Sequence, residues 1–536
     1  MRRSLVVVLA VLAILGMLAP PSFAQAPAPK VTINGLVDFV TSGYINTNQH
    51  GTQDVTSSLD KGWTSRERGV FTLTGEVGRT KGVWAIELDF ANGAGSVNGG
   101  NAFGGNNQGQ LHTGISANFD LDTDVAGAVE TKWLYLETPI TGPGSIMPFI
   151  PVTTIGRFGG QPARGHNYKT GVLLSGDIPG ATLETTWAPN ARSTLTYVQI
   201  AEKIDRVLAP GQKESWAILA SVEVDVFKGL TVKPTYAYAL FNGGNCGTAN
   251  LGTFPYGGIN WNSNCPAVTT TTAALNAAVG SGGNIQRHYF GGDARWTSGP
   301  FYVEPSFFYL YGDEFVPTLP AGNRPRTHAD IRSYIVDTSA GFRTGPLNIE
   351  GLAMFTPGMG ANHILSNANG GTDRVYHGIN PGFGFLAGWT EIWTGNVDYQ
   401  NSMFAGADGL ATRNSPSYDK YGRVFFALAV DYALTPALTL KALTNFSWTD
   451  TKVDTTSVLA NGLTSTGTRG TERYLGNEWD LGFTYRFAPN VDFTLVGAVL
   501  FVGDALNHVR VGRPAGSPPS AAQDVYKGAA RIRLTF

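Results

Sequence analysis

Three alternating aspartates, Asp120, Asp122 and Asp124, form a set of potential cation ligands in a polar stretch of the chain. Calcium is bound by six to eight oxygen atoms, and clustered carboxylates supply such atoms. The segment departs from an EF-hand because Val125 occupies the position of the glycine and Thr131 that of the bidentate glutamate. We therefore interpret it as solvated loop charge, and keep a weak calcium site or the bridging of surface sugars as the alternative.

A second group with chemical potential is basic and consists of Arg157, Arg164, His166 and Lys169. If this part of the chain narrows a channel, these side chains would face permeating anions. If it lies on the outside, they are ordinary surface charge. Both interpretations stay open at this point, and the four residues are the candidates for a pore constriction.

Catalytic and nucleic-acid-binding functions find little support in the sequence. The eight histidines show no metal-ligand spacing such as His-x-x-x-His, and no nucleophile motif surrounds any serine. The chain has 38 basic and 40 acidic residues, a formal net charge of -2, which gives no electrostatic footprint for nucleic acid. We predict neither an enzyme nor a cofactor.

Composition excludes a disordered chain and is unusual for a cytosolic protein. The 536 residues include 68 glycines and only 15% charged residues. Glycine therefore runs near twice its usual share of about 7%, and charge lies well below the usual ~25%.

The N-terminal 24 residues predict a signal peptide. Arg2 and Arg3 precede an apolar run over residues 5–18, and small residues follow at Ser22 and Ala24. The run is shorter than the ~20 residues that a helix needs to cross a bilayer. If the exported chain meets a membrane again, it must do so with strands.

Export also bears on the two cysteines, Cys246 and Cys265. Disulfides persist in oxidising compartments, and an even number of cysteines allows one bridge. We predict a disulfide that closes a ring of about 20 residues and contributes about 3 kcal/mol if it is unstrained.

The dominant period of the chain after residue 31 is two, as in β-strands. Apolar residues alternate with polar ones in the segments 83–90, 425–432, 478–487 and 526–536. The polar face of these segments predicts a lumen wall that includes Glu87, Asp89, Glu478, Asp480, Arg486, Lys527, Arg531 and Arg533. Acids and bases are nearly balanced on this face, so we expect weak ion selectivity.

Short turns and long polar stretches alternate along the chain. Eight turns are predicted at 78–82, 139–151, 189–190, 228–229, 298–300, 344–346, 435–436 and 489–490, and nine long loops lie between them. Together they connect 18 strands, an even number that leaves both ends on one side. A strand at 171–175, followed by a turn at 177–180, would break this parity. We place both in a loop and keep 16 strands as the alternative.

The strand pattern predicts an all-β fold: a transmembrane antiparallel β-barrel of about 18 strands, with short periplasmic turns and long extracellular loops. It forms a single domain over residues 31–536, after a short extension at 25–30. Closure of such a barrel satisfies every backbone donor that lipid would leave unpaired.

Over nearly its whole mature length the chain resembles a Gram-negative outer-membrane porin. The terminal Phe536, with apolar residues at alternate positions before it, is similar to the signal by which such barrels are recognised for insertion. Residues 156–161 resemble the Gly-Arg-Gln strand end that precedes the inward-folded constriction loop of porins, with Phe-Gly-Gly between Arg157 and Gln161. The strand count and the large loops are also similar to those of alginate-export-like barrels.

The resemblance implies a water-filled channel in the outer membrane, through which small hydrophilic solutes or ions diffuse. Its implied partners are outer-membrane lipid and the barrel-insertion machinery, with a homotrimer as one option for the oligomeric state. Two alternatives stay open: a substrate-specific channel such as a polysaccharide exporter, and a surface structural all-β protein.

Overall fold

The computed structural model describes the strands, the short turns and parts of the long loops. The described residues are 28–46, 61–92, 124–125, 129–163, 166, 168, 172–174, 177–201, 215–242, 284–316, 327–361, 371–379, 388–398, 417–418, 421–453, 455, 470–509 and 522–536. The predicted signal peptide, both cysteines, Asp120, Asp122, Arg164 and Lys169 lie outside them.

One antiparallel sheet closes on itself to form a barrel. It has 20 strands, of which Asp124–Val125 and Thr372–Asp373 are two residues long, so 18 strands form the wall. They are Lys30–Ile45, Lys61–Val77, Thr80–Asn92, Val129–Thr141, Thr153–Pro162, Asp177–Ala188, Ala191–Ala201, Ser215–Phe227, Leu230–Asn242, Asn284–Ser298, Phe301–Val316, Thr327–Thr344, Leu347–Thr356, Arg423–Thr435, Leu438–Val453, Glu472–Ala488, Val491–Val502 and Val525–Thr535. The first and last strands pair from Leu36 opposite Thr535 to Ile45 opposite Tyr526, which closes the barrel.

The predicted barrel of 18 strands is confirmed, and the alternative of 16 is wrong. The placement of residues 177–180 in a long loop is also wrong, because these residues begin the strand Asp177–Ala188. A Cβ atom on Gly180 would lie 2.0 Å from the Tyr197 carbonyl oxygen in the next strand. The close approach of the two strands therefore requires glycine at this position. In the sequence Asp-Ile-Pro-Gly, the same glycine made the segment resemble a turn.

Seven of the eight short connections are two residues long, at the predicted positions. Residues with positive φ occur in several of them, including Gly229 at 92° and Asn490 at 61°. Positive φ matches the right-handed twist of a hairpin and favours glycine or asparagine. The eighth connection, between Thr141 and Thr153, is longer. These connections share one end of the barrel, hereafter the short-turn end, and the opposite end is the long-loop end.

Large apolar side chains cover the outer face of the barrel. Exposed examples on strands around the wall are Phe39, Trp84, Leu136, Ile218, Phe290, Phe307, Val336, Leu428, Trp479, Leu495 and Ile532. A water-soluble protein seldom exposes so extensive an apolar surface. Aromatic residues at both ends of the strands, such as Trp187 and Phe301 at one end and Trp63 and Trp448 at the other, match the two girdles of a membrane barrel.

No helix among the described residues is long and apolar enough to span a membrane.

The buried apolar core lies inside the barrel. It joins inward-facing wall residues such as Leu219, Phe308 and Ile335 to loop residues that include Leu173 and Tyr376. Part of the inner wall is therefore apolar, and its burial under inward-folded loop segments removes it from water.

Candidate functional site

The first inner segment comprises the described residues of the connection 163–176. His166 Nε2 lies 2.7 Å from Thr196 Oγ1, and the Thr235 hydroxyl donates to the His166 carbonyl at 2.9 Å. The Tyr168 N–H donates to Asp293 Oδ2 at 2.6 Å. These partners belong to three strands beyond the ones that the connection joins. The segment therefore folds into the barrel and lies across the inner face of these strands.

Tyr168 lies between two basic side chains of that wall. Its ring centroid is 4.8 Å from Lys233 Nζ and 4.3 Å from Arg295 Cζ, close enough for cation–π attraction. Lys233 also pairs with Glu223 at 2.9 Å, and Arg295 pairs with Glu304. Burial and the Glu223 carboxylate raise the pKa of the Tyr168 hydroxyl. Both cations are thus partly shielded from the lumen.

The second inner segment is residues 371–379. His377 Nε2 lies 2.8 Å from Asp373 Oδ2, and burial lowers the pKa of this imidazole although Asp373 opposes the effect. The Ser333 hydroxyl donates to the Arg374 carbonyl at 2.8 Å, and the Tyr289 hydroxyl donates to the His377 carbonyl at 2.9 Å. Side chains of the wall therefore hold this segment by its backbone carbonyl groups.

The first and second inner segments touch each other inside the barrel. The Tyr376 hydroxyl donates to the Val172 carbonyl at 3.1 Å, and the Ile379 N–H donates to the Leu173 carbonyl at 2.8 Å. All four residues are buried and belong to the apolar core. Burial of their side chains against an apolar wall favours a fixed position for both segments over a freely moving loop.

The third inner segment, residues 388–398, is held by acidic wall residues. Glu478 accepts hydrogen bonds from the backbone N–H groups of Ile392 and of Trp393, the latter at 3.0 Å. Asp480 Oδ2 accepts from the Glu391 N–H at 2.7 Å. A buried donor that loses its hydrogen-bond partner is costly, so the two wall acids that accept these backbone N–H groups anchor the segment.

Lys527 completes the anchor from another strand. Its Nζ lies 2.8 Å from Glu391 Oε1 and 3.1 Å from the Asp398 carbonyl. The Glu391 carboxylate also accepts the Val397 N–H at 2.6 Å, and the Ser42 hydroxyl donates to Asp398 Oδ2 at 2.5 Å. These side chains are buried, and the opposite charges of Lys527 and Glu391 offset each other's desolvation.

The third inner segment changes the role of three predicted lumen-wall residues. Glu478, Asp480 and Lys527 face inward, as predicted, but the segment covers them and they do not line water. Sequence reasoning placed the whole connection 357–422 outside the barrel. The signal that could have corrected it is the pair Trp389 and Trp393 within a polar loop.

The other predicted wall residues have various surroundings. Arg486 pairs with Asp492 and Arg533 pairs with Asp38. Arg531 is partly buried, and the side chain of Asp89 lies outside the description.

The predicted constriction residues are only partly described. Arg157 Nε lies 2.6 Å from Glu137 Oε2, and its Nη1 lies 3.1 Å from Glu184 Oε1. His166 is buried in the first inner segment. Arg157 is therefore a paired residue of the inner wall, and His166 holds the first inner segment against that wall.

Sequence reasoning placed Glu87 on the lumen wall but missed Lys132 and Asp177, which join it in a charged network towards the long-loop end. Lys132 Nζ lies 2.6 Å from Glu87 Oε2 and 3.1 Å from Asp177 Oδ2, and Arg68 also pairs with Glu87. Asp177 additionally accepts a hydrogen bond from the Trp133 indole. Lys132 was missed because a register shift interrupts the strict alternation of its strand.

Cross-strand ion pairs also surround the lumen towards the short-turn end. The pairs are Arg533 with Asp38, Lys81 with Glu137, Arg192 with Glu223, Arg295 with Glu304, and Arg486 with Asp492. Partly exposed pairs add little stability. These pairs instead affect the electric field in the lumen, because an acid on the neighbouring strand neutralises the charge of each base.

No group of three His, Cys, Asp or Glu side chains in the described part of the chain could hold a metal ion. The residues Asp120, Asp122 and Asp124, for which a weak calcium site was the alternative to solvated loop charge, lie outside the described side chains.

Acidification should weaken the docking of the first inner segment. Burial, helped by the positive charge of Lys233, lowers the pKa of His166 to about 3. The undocked imidazole has an ordinary pKa of about 6.5, so it binds a proton more readily than the docked one. Docking free energy should therefore be lost progressively as pH falls from about 6.5 towards 3. Single-channel recordings should show more current fluctuation at pH 5 than at pH 7.5.

The control is His166→Gln, which keeps a hydrogen-bonding group near Thr196 but does not titrate. Its current fluctuation should be nearly constant between pH 7.5 and 5. Equal pH dependence in the two proteins would exclude His166 as the titrating group.

No known protein family matches the chain, and no curated protein matches it. The fold is similar to solved structures at low sequence identity. OccK5 (OpdH) of Pseudomonas aeruginosa is 10% identical with a TM-score of 0.43, over 94% of this chain and 98% of that one. OccK8 (OprE) of the same species is 10% identical with a TM-score of 0.45, over 95% and 98%. A BenF-like porin from Pseudomonas fluorescens Pf-5 is 10% identical with a TM-score of 0.46, over 95% and 98%.

Proposed function

We propose that this chain is an outer-membrane channel through which small hydrophilic solutes or ions diffuse passively. The observation that carries the proposal is the closed barrel of 18 strands with an apolar outer face and charged residues on its inner wall. An apolar exterior suits lipid, and a charged interior suits water. The protein then needs no cofactor and performs no covalent chemistry.

The inner segments would set the width of the channel. The first and second segments dock on the apolar part of the wall, and the third docks on the buried wall acids that hold it. The charged networks around Glu87 and Arg157 remain on the opposite part of the wall. Solutes would pass along this charged part, where pore width and local charge decide permeation.

Conductance and solute size provide the test. Reconstituted protein should give stepwise single-channel currents, and proteoliposomes should swell in small neutral sugars faster than in larger ones. Absence of both currents and swelling in correctly folded protein would overturn the channel. A dedicated polysaccharide exporter would instead pass a polymer while excluding neutral sugars.

Ion selectivity is expected to be weak. The ion pairs around the lumen neutralise each other, and the remaining field is screened beyond about 8 Å at physiological salt. A reversal potential measured across a salt gradient should therefore lie near zero. Near-ideal selectivity for either sign would show that a few unpaired residues control permeation.

The location would follow from an N-terminal signal peptide and from recognition of Phe536 by the barrel-insertion machinery. The protein should partition with outer-membrane fractions and migrate differently on a denaturing gel before and after heating. A soluble or surface structural protein would do neither. Chemical cross-linking in the membrane would determine whether the barrel is a homotrimer.

A further inference from the structure

We infer that the connection between Thr141 and Thr153, hereafter the long turn, inserts its apolar tip into the lipid leaflet at the short-turn end of the barrel. The inference rests on the membrane location proposed above. It concerns the only short-side connection in the described barrel that exceeds two residues, and it adds a lipid-binding element outside the wall.

The tip of the long turn presents unusually exposed apolar side chains. Phe149 is 80% exposed and Ile146 is 68% exposed, and neither belongs to a wall strand. Exposed apolar residues on the membrane-spanning strands face lipid. If the long turn extended into water, the apolar side chains at its tip would be solvated. An exposed apolar patch of this kind indicates a contact surface.

The long turn is held in one conformation. The Met147 N–H donates to the Ile140 carbonyl at 2.9 Å, and the Thr141 hydroxyl donates to the Val152 carbonyl at 2.6 Å. From the neighbouring turn, Arg79 Nη1 donates to the Pro143 carbonyl at 2.7 Å. A preorganised tip loses little conformational entropy when it binds.

Lipid is the occupant that the surroundings favour. The long turn continues from a strand whose outer face carries the exposed Leu134 and Leu136, so its patch is adjacent to the lipid-facing wall. Residues 138–156 contain no ionisable side chain, which removes the charges that oppose insertion into a bilayer. Beside the turn, the exposed Arg79 offers a positive charge to anionic headgroups.

Spin labelling of the full-length chain tests the inference. Cys246 and Cys265 are replaced by serine, and a single cysteine is introduced as Phe149→Cys and labelled with a nitroxide. The protein is reconstituted in vesicles of phosphatidylethanolamine and phosphatidylglycerol. Power saturation with oxygen and with a water-soluble nickel complex reports the depth of the label. Leu136→Cys is the lipid-facing control, and Lys228→Cys in a two-residue turn is the aqueous control.

The ratio of oxygen to nickel accessibility at position 149 should be several-fold higher than at 228, and adding Ile146→Asp should lower it. A ratio equal to that at 228, with position 136 in lipid, would overturn the inference and leave the membrane barrel intact. Spin–spin broadening at 149 in dilute vesicles would also overturn it, because a second copy would then cover the tip. A water-exposed label at 136 would overturn the membrane location itself.

Discussion

The substitution Lys527→Met is expected to increase single-channel conductance by roughly twofold or more, because constriction width controls the current. Lys527 contacts Glu391 and Asp398 of the third inner segment and is buried beneath it. Removal of the ammonium would leave the Glu391 carboxylate buried without its opposite charge. Such a loss costs about 3–5 kcal/mol, and the segment can avoid that cost by leaving the wall. Current amplitude in planar bilayers measures the effect.

The matched control is Lys441→Met, which removes a lysine from the neighbouring part of the inner wall. Lys441 lies opposite Asp431 on the neighbouring strand. It lies four residues closer to the short-turn end than Asn445, and it is Asn445 that hydrogen-bonds Thr390 of the third inner segment. Its substitution should change conductance little. Adding Glu391→Gln to Lys527→Met should restore part of the original conductance, because the unpaired charge is gone. Wild-type conductance in Lys527→Met would show that the other contacts suffice to hold the segment.

The barrel wall could be predicted from the sequence because its residues obey local rules. Strict alternation around Trp84 and Trp479 follows from the pleat of a strand, and the short turns are marked by glycine, proline or asparagine. Both signals act over a few residues. Exceptions arose where distant backbone decided the conformation, as at Gly180, whose position is set by the neighbouring strand.

The interior could not be predicted in the same way, since it depends on contacts between distant parts of the chain. Glu391 and Glu478 are 87 residues apart in sequence, and the hydrogen bonds that join their regions leave no periodic pattern. Alternation correctly predicted that Glu478 faces inward. It carried no information on whether water or protein lies there, and that difference separates a pore-lining acid from an anchor.

Deletion of Phe536 is expected to reduce the amount of assembled barrel in cells by about tenfold, while the protein still folds in detergent. The residue exchanges backbone hydrogen bonds with Gly35 at 2.8 and 3.0 Å, and its ring centroid lies 5.8 Å from that of Phe71. These contacts extend a seam that already pairs Leu36–Ile45 with the last strand. Because each hydrogen bond adds only about 1 kcal/mol, their loss leaves a seam able to close.

A large loss in cells with normal refolding in detergent would therefore assign Phe536 to recognition during insertion, and not to closure of the barrel. Phe487→Ala is the matched control, since Phe487 is also an exposed aromatic residue of a wall strand near the short-turn end. It should leave assembled barrel near the wild-type amount. Heat-modifiable migration on a denaturing gel measures assembly in both settings. Equal losses in cells and in detergent would show instead that the terminal contacts with Gly35 and Phe71 are needed for the barrel to close.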